Sequence, residues 1–265
     1  MRKKLTLPVL LLLSAVGLAL QYWNQATGYD LFLLPIPGAP GAVVTKIYTA
    51  LCVVVAFALA FELSGVTLKR SDGLHHTLTV PGVAVGVLAG VLTALGGLGK
   101  LVVDVMPLLR WRQTTGIFNC LVDILVLCAG GAMVWLALSP KRPHKPGPAL
   151  APLIPGFAGC FRLAVFYHAN SQDPVVSHYG WALLGLMAFI LASYYQAGYS
   201  FNRCRPFRAL LFTCLAVPLL FLALPTVSTW YDLVLLAGFG VWMLVGVEPL
   251  LQVSQVRGHR EAPPQ

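Results

Sequence analysis

The chain has 265 residues, 58% of them hydrophobic and only 10% charged, with a formal net charge of +9 and a mean hydropathy of +0.79. Soluble domains carry about 45–50% apolar and about 25% charged residues, so a water-soluble core is excluded and lipid must be the solvent. The positive charge does not indicate a nucleic-acid partner, because the basic residues lie in short clusters between apolar stretches, where they set membrane topology.

A membrane-crossing helix needs about 20 predominantly apolar residues. Eight stretches qualify, at 5–23, 46–66, 78–98, 115–138, 149–168, 178–199, 207–225 and 229–251. They predict an all-α polytopic bundle in one transmembrane domain over residues 1–251, with a short polar tail at 252–265. The first stretch follows Arg2, Lys3 and Lys4, the layout of a secretory signal. Its apolar run extends to Leu20 and ends at Tyr22 and Trp23, an interfacial aromatic anchor, so an uncleaved span is expected. In the connection from Asn24 to Thr45, the run Leu34-Pro35-Ile36-Pro37-Gly38-Ala39-Pro40-Gly41 forbids a continuous helix. It either lies on the surface, caps a cavity or dips into protein-lined space, since lipid does not tolerate bare carbonyls.

The second span opens at Tyr48 and contains Ala56-Phe57-Ala58-Leu59-Ala60; the sixth opens at Tyr179 and contains Ala188-Phe189-Ile190-Leu191-Ala192. Each is the second of four spans and each precedes a basic loop. A four-plus-four parallel repeat accounts for this; so does chance likeness of apolar segments.

In the third span Gly82, Gly86, Gly90 and Ala94 place a small residue at every fourth position. Each glycine costs about 1 kcal/mol against alanine in a soluble helix. In lipid the spacing makes a flat groove that admits another helix backbone. After it, Leu101, Val102, Val105, Leu108 and Leu109 keep helical spacing among Lys100, Arg110 and Arg112. Residues 99–113 are expected as an interfacial helix with Trp111 at headgroup level; the alternative is that spans three and four are shorter hairpin elements.

Ionisable groups inside a span are costly and mark candidate sites. Asp123 lies about two turns into span four, with Asn119 one turn before it on the same face. Arg162 lies at a similar depth in span five, so an Asp123–Arg162 pair is expected, either to fix helix registry or to serve a ligand. His168, His178 and Asp232 lie toward the same outer end. These six residues form the candidate ligand site, in which Arg162 is expected to meet an anionic group tuned by Asp123. His168, Asp173 and His178 suit zinc by residue type, but their five-residue spacings match no compact site, and neither metal nor cofactor is expected. Six cysteines, Cys52, Cys120, Cys128, Cys160, Cys204 and Cys214, form no Cys-x-x-Cys pair and are expected to pack as small apolar residues. No phosphate loop, His-Glu-x-x-His motif or nucleophile elbow occurs, and no nucleophile–base set is visible, so an enzyme is not expected.

The basic clusters at residues 2–4, 69–70, 141–145, 203–208 and 257–260 put 13 of the 18 Lys and Arg residues on one side. That side, with both termini, is expected to be cytoplasmic. The stretch Asn170-Ser171-Gln172-Asp173-Pro174-Val175-Val176, with Tyr179 and Ser193-Tyr194-Tyr195-Gln196-Ala197-Gly198, resembles a segment of uncharacterised multi-span membrane proteins of Gram-positive anaerobes. The resemblance covers residues 160–202, implies a bacterial cytoplasmic membrane and implies no activity. Two functions are therefore expected from the residues. One is solute handling, by transport or sensing, through an outward-facing polar pocket with a small-molecule ligand. The other is a non-catalytic accessory or structural protein whose glycine face packs a membrane partner or a second copy. A polar cluster facing inward favours the first; a glycine groove facing lipid favours the second.

Overall fold

A chain in lipid has no water for its carbonyls, so it must close its backbone hydrogen bonds within each segment, as helices do. The computed structural model describes residues 3–30, 34–61, 78–111, 116–139, 150–173, 175–176, 179–198, 201 and 205–260, with backbone alone at 3–4, 107–111 and 252–260. Among these residues the long elements are all helices: α1 (Lys3–Thr27), α2 (Pro40–Phe61), α3 (Val80–Trp111), α4 (Ile117–Leu138), α5 (Ile154–Asn170), α6 (Gly180–Ala197), α7 (Pro206–Ala223) and α8 (Trp230–Arg260). Seven are long and apolar enough to cross a membrane. The eighth, α5, has 17 residues and follows a 3-10 turn at Ala151–Leu153. Leu12, Ile47 and Val54 are each 64% exposed. Water would penalise such a surface; acyl chains do not.

The described helices pack around α7, which touches α1, α2, α6 and α8. Its membrane window is 67% buried, against 22% for α2 at the rim. The two similar alanine segments have a packing explanation. Ala56 and Ala60 of α2, and Ala188 and Ala192 of α6, are all buried, and both helices pack on α7. The halves share the pairings α1 with α2 and α5 with α6, and α3 with α4 and α7 with α8. They differ in that α6 packs on the helix that follows it, α7, whereas among the described residues α2 packs on α7 in place of its own following helix, α3.

The helices start and stop in a consistent up-and-down order. At one end the backbone N–H of Thr79, before α3, donates to Glu248 Oε1 near the end of the α8 span (3.0 Å). Phe57 of α2 meets Phe207 of α7 edge-on at that end. At the other end Gln25 of α1 donates to the carbonyl of Pro225, just past α7. The start of α1 and the end of α8 therefore lie at the same end of the bundle.

Three expectations are corrected. Residues 24–45 are not one irregular connection: α1 runs to Thr27 and α2 begins at Pro40. Between them Ile36 N–H donates to Gly28, Asp30 N–H to Leu34 and Ala39 N–H to Ile36, and Gly38 takes φ +77. These described residues of the loop bond to one another, with Leu34 and Ile36 exposed. Residues 99–111 are not a separate interfacial helix but the continuation of α3. Lys100 and Asp104 pair one turn apart at 3.6 Å, and the helix carries on through Pro107 to Trp111. The tail from residue 252 continues α8 as far as Arg260.

Helix α3 is wedged between α4 and α8, and its small residues allow this. A Cβ built on Gly90 would lie 2.7 Å from the carbonyl oxygen of Gly130 in α4, and one on Gly130 would lie 2.7 Å from that of Gly90. The two backbones thus touch. Gly86 faces Ala137, and Ala94 faces Gly130. Gly82 faces Glu248 instead, on α8. A second small face meets α8 through Gly96 against Leu235 and Tyr231, and through Gly238 against Thr93. The groove is filled from within the chain. Gly90→Leu should therefore lower stability by about 1–3 kcal/mol or more, whereas Val91→Leu, on a side chain 43% exposed, should change little. Thermal unfolding in detergent compares the two, and equal losses would mean that Gly90 does not face α4.

Candidate functional site

Arg162 stands midway along α5 with its side chain only 3% exposed. A guanidinium cannot be neutralised at ordinary pH, so in lipid it must bring counter-charges with it. Two helices supply them. Its Nη2 donates to Asp232 Oδ1 of α8, and its Nη1 lies 4.0 Å from Asp123 Oδ1 of α4. Thr229, in the turn before α8, donates through Oγ1 to Asp232 Oδ2 at 2.7 Å and fixes that carboxylate. Asp232 is also in the first turn of α8, where the helix dipole favours an anion.

The network extends into α3. Asp104 and Lys100 lie close enough to Asp123 to act on its charge, Asp104 bonds to Lys100, and Lys100 Nζ lies 5.3 Å above the ring of Tyr231. Three carboxylates therefore stand with two cations among the described residues, a formal charge of −1 when all are ionised. The Asp123 Oδ2, Asp104 Oδ2 and Arg162 Nη1 atoms are buried without a hydrogen-bond partner. Chemically, the cluster can hold a proton between carboxyl groups or accept a positive group. Its one guanidinium already has two anions.

Of the six candidate residues, the fold brings Asp123, Arg162 and Asp232 together. Asp232 is the direct partner of Arg162, and Asp123 the second. Asn119 is half-buried one turn from Asp123, outside the ion network. His168 is exposed, six residues beyond Arg162, or about 9 Å along the helix. His178 lies outside the described residues. Asp173 Oδ1 accepts the N–H of Val175 (2.8 Å). The sequence reading leaves Lys100 and Asp104 out of the site because it places residues 99–113 in a separate interfacial helix. Read as a continuation of the third span, their four-residue spacing brings them to one face beside the cluster.

A second buried polar pair was also missed. Gln21 and Asn24 of α1 are 0% and 4% exposed, and Asn24 Nδ2 reaches Gln21 Oε1 at 3.5 Å. Gln21 Nε2 and Asn24 Oδ1 have no partner. The backbone of Asn24 lies against Gly41 of α2, where a Cβ would come within 2.8 Å of its Cα, so this pair sits at a close helix crossing. Of the cysteines, Cys52, Cys120 and Cys214 are buried while Cys128 and Cys160 are exposed; Cys204 lies outside the described residues.

Comparison with protein-family models, with curated proteins and with solved structures returns no match to the chain.

Removing Arg162 strands two carboxylates in low dielectric, so Arg162→Gln should cost about 3–5 kcal/mol. A double-mutant cycle with Asp232→Asn should give a larger coupling energy than one with Asp123→Asn, because only Asp232 is in direct hydrogen-bond contact. Unfolding in detergent measures both. Additive losses in both cycles would show that the guanidinium meets neither carboxylate.

Proposed function

We propose that this multi-pass membrane protein handles a solute, as a transporter or a sensor, and that the site is the cluster of Asp123, Arg162 and Asp232 with Lys100 and Asp104. The observation that carries this is the excess of carboxylate over cation in a cluster drawn from α3, α4, α5 and α8, in which the Asp123 Oδ2, Asp104 Oδ2 and Arg162 Nη1 atoms are buried without a hydrogen bond. A registry pair needs one cation and one anion, fully bonded. Here two cations meet three anions, and three buried polar atoms make no hydrogen bond among the described residues.

The formal charge of −1 changes the solute expected. Arg162 is occupied by carboxylates, so an anionic ligand would have to displace Asp232. A proton or a small cationic solute completes the cluster instead. The accessory-protein alternative loses its main support, since the α3 glycine face is taken by α4 and α8.

The location is part of the proposal. The end carrying both termini is assigned to the cytoplasm, on the 13 basic residues grouped there by sequence. The resemblance over residues 160–202 adds a bacterial cytoplasmic membrane. A reporter fused after residue 265 should then report cytoplasm, and one inserted within residues 170–177 should not.

The solute class is tested on the purified full-length protein in detergent. Thermal unfolding is followed against cationic, neutral and anionic small solutes at constant ionic strength. Cationic members, or mild acidification, should stabilise it, by about 2.7 kcal/mol at a hundredfold excess over Kd. Asp123→Asn, which removes the excess charge, should abolish that response while leaving a cooperative transition. Stabilisation by anions alone would contradict the assignment.

A further inference from the structure

A second site lies at the opposite end of the bundle from Asp232. The end of α6, the start of α7 and the 3-10 turn before α5 enclose a cavity of about 490 Å³, lined by Leu153, Tyr194, Tyr195, Phe201, Arg205 and Arg208 among others. The volume is within the roughly 300–1,000 Å³ of small-ligand sites. Its chemistry is one-sided. Among the described residues Arg205 and Arg208 both line it, no carboxylate does, and neither arginine has an acidic partner.

The arginines differ in how they are held. Arg208 lies with its guanidinium 5.9 Å from the centre of the Tyr195 ring, and its Nη1 donates to Tyr195 Oη at 3.4 Å. Tyr195 is itself stacked on Phe212 at 5.5 Å. This fixes the plane of the Arg208 fork. Arg205 is exposed and precedes α7 as its N-cap residue, with no side-chain cap at that helix start. The rim is aromatic: Tyr194 is 64% and Phe201 45% exposed, as expected where a bundle meets the headgroup layer.

We infer that this cavity binds a phosphate-bearing anion, held by the forks of Arg205 and Arg208 with the Tyr195 hydroxyl beside them. A guanidinium presents its N–H donors in a fork that matches two oxygens of a phosphate, and two guanidiniums line this cavity. The position at the end of the spans suits the headgroup of an anionic phospholipid; a free phosphorylated solute offers the same group. The site is independent of the Arg162 cluster. It gives these arginines a binding role in addition to any part in orienting the chain.

The test titrates the full-length protein in detergent with phosphatidylglycerol, with phosphatidylcholine and, separately, with inorganic phosphate, following thermal unfolding. Phosphatidylglycerol should stabilise it and phosphatidylcholine should not. Arg205→Gln, at an exposed side chain whose loss leaves the fold in place, should raise the half-maximal concentration about fivefold. Arg208→Lys keeps the charge but removes the fork, and should weaken binding too. Arg257→Gln, which removes a basic residue elsewhere at the same end, should leave the midpoint unchanged. If inorganic phosphate alone reproduces the effect, with the same dependence on Arg205, the anion is a free phosphorylated solute. If only the lipid acts, it is a headgroup. An absent response, or equal weakening by Arg205→Gln and Arg257→Gln, would overturn the site.

Discussion

A guanidinium that cannot lose its proton lies in the middle of a short helix in lipid, and much of the bundle is arranged to neutralise it. Arg162 on α5 draws Asp232 from α8 and Asp123 from α4. Those two helices also clasp α3, which adds Lys100 and Asp104 to the group. Breaking a buried pair by removing one partner costs far more than the pair contributes as a whole. The cluster therefore constrains which helices are neighbours and at what depth, whatever else it does.

The glycines of α3 make that convergence sterically feasible. Charges on four helices can meet only if the helices approach closely. Gly90 against Gly130 brings α3 and α4 into backbone contact, and Gly96 and Gly238 do the same for α3 and α8. In lipid there is little hydrophobic force between helices, so close packing and polar contacts must hold them together. Here the small-residue faces lie on α3, α4 and α8, three of the four helices that carry the ion network, and the two reinforce each other. The rest of the bundle is organised differently, around α7, through buried alanine and leucine positions that meet α1, α2 and α6.

Much of this was legible in the chain. Apolar length marked the helices, because a span must exceed the hydrocarbon thickness. The Gly82–Ala94 spacing marked a contact face, and Asp123 and Arg162 stood out because charge is rare within spans. What was not legible has a common physical origin. A span can continue beyond the hydrocarbon, and polarity then no longer reports where the helix ends. Thus α3 runs on to Trp111 and carries Lys100 and Asp104 into the cluster, although their polarity suggests a separate helix at the membrane surface. Partner choice was hidden for another reason. Asp123 and Asp232 are both at reachable depth, and only the three-dimensional order of the helices decides that Asp232 makes the direct bond to Arg162. Gln21 and Asn24 were hidden because neutral amides near a span end look like an interface, yet α1 buries both.

The account rests on Arg162 being held inside the bundle by an excess of carboxylate. The most direct measurement is an experimental structure of the full-length protein in a lipid nanodisc, at a resolution that shows side chains and ordered water. The account predicts Arg162 between Asp232 and Asp123, with water or a bound solute against Asp123 Oδ2 and Asp104 Oδ2. Arg162 extended to the headgroup layer, with Asp123 and Asp232 apart and separately solvated, would contradict it.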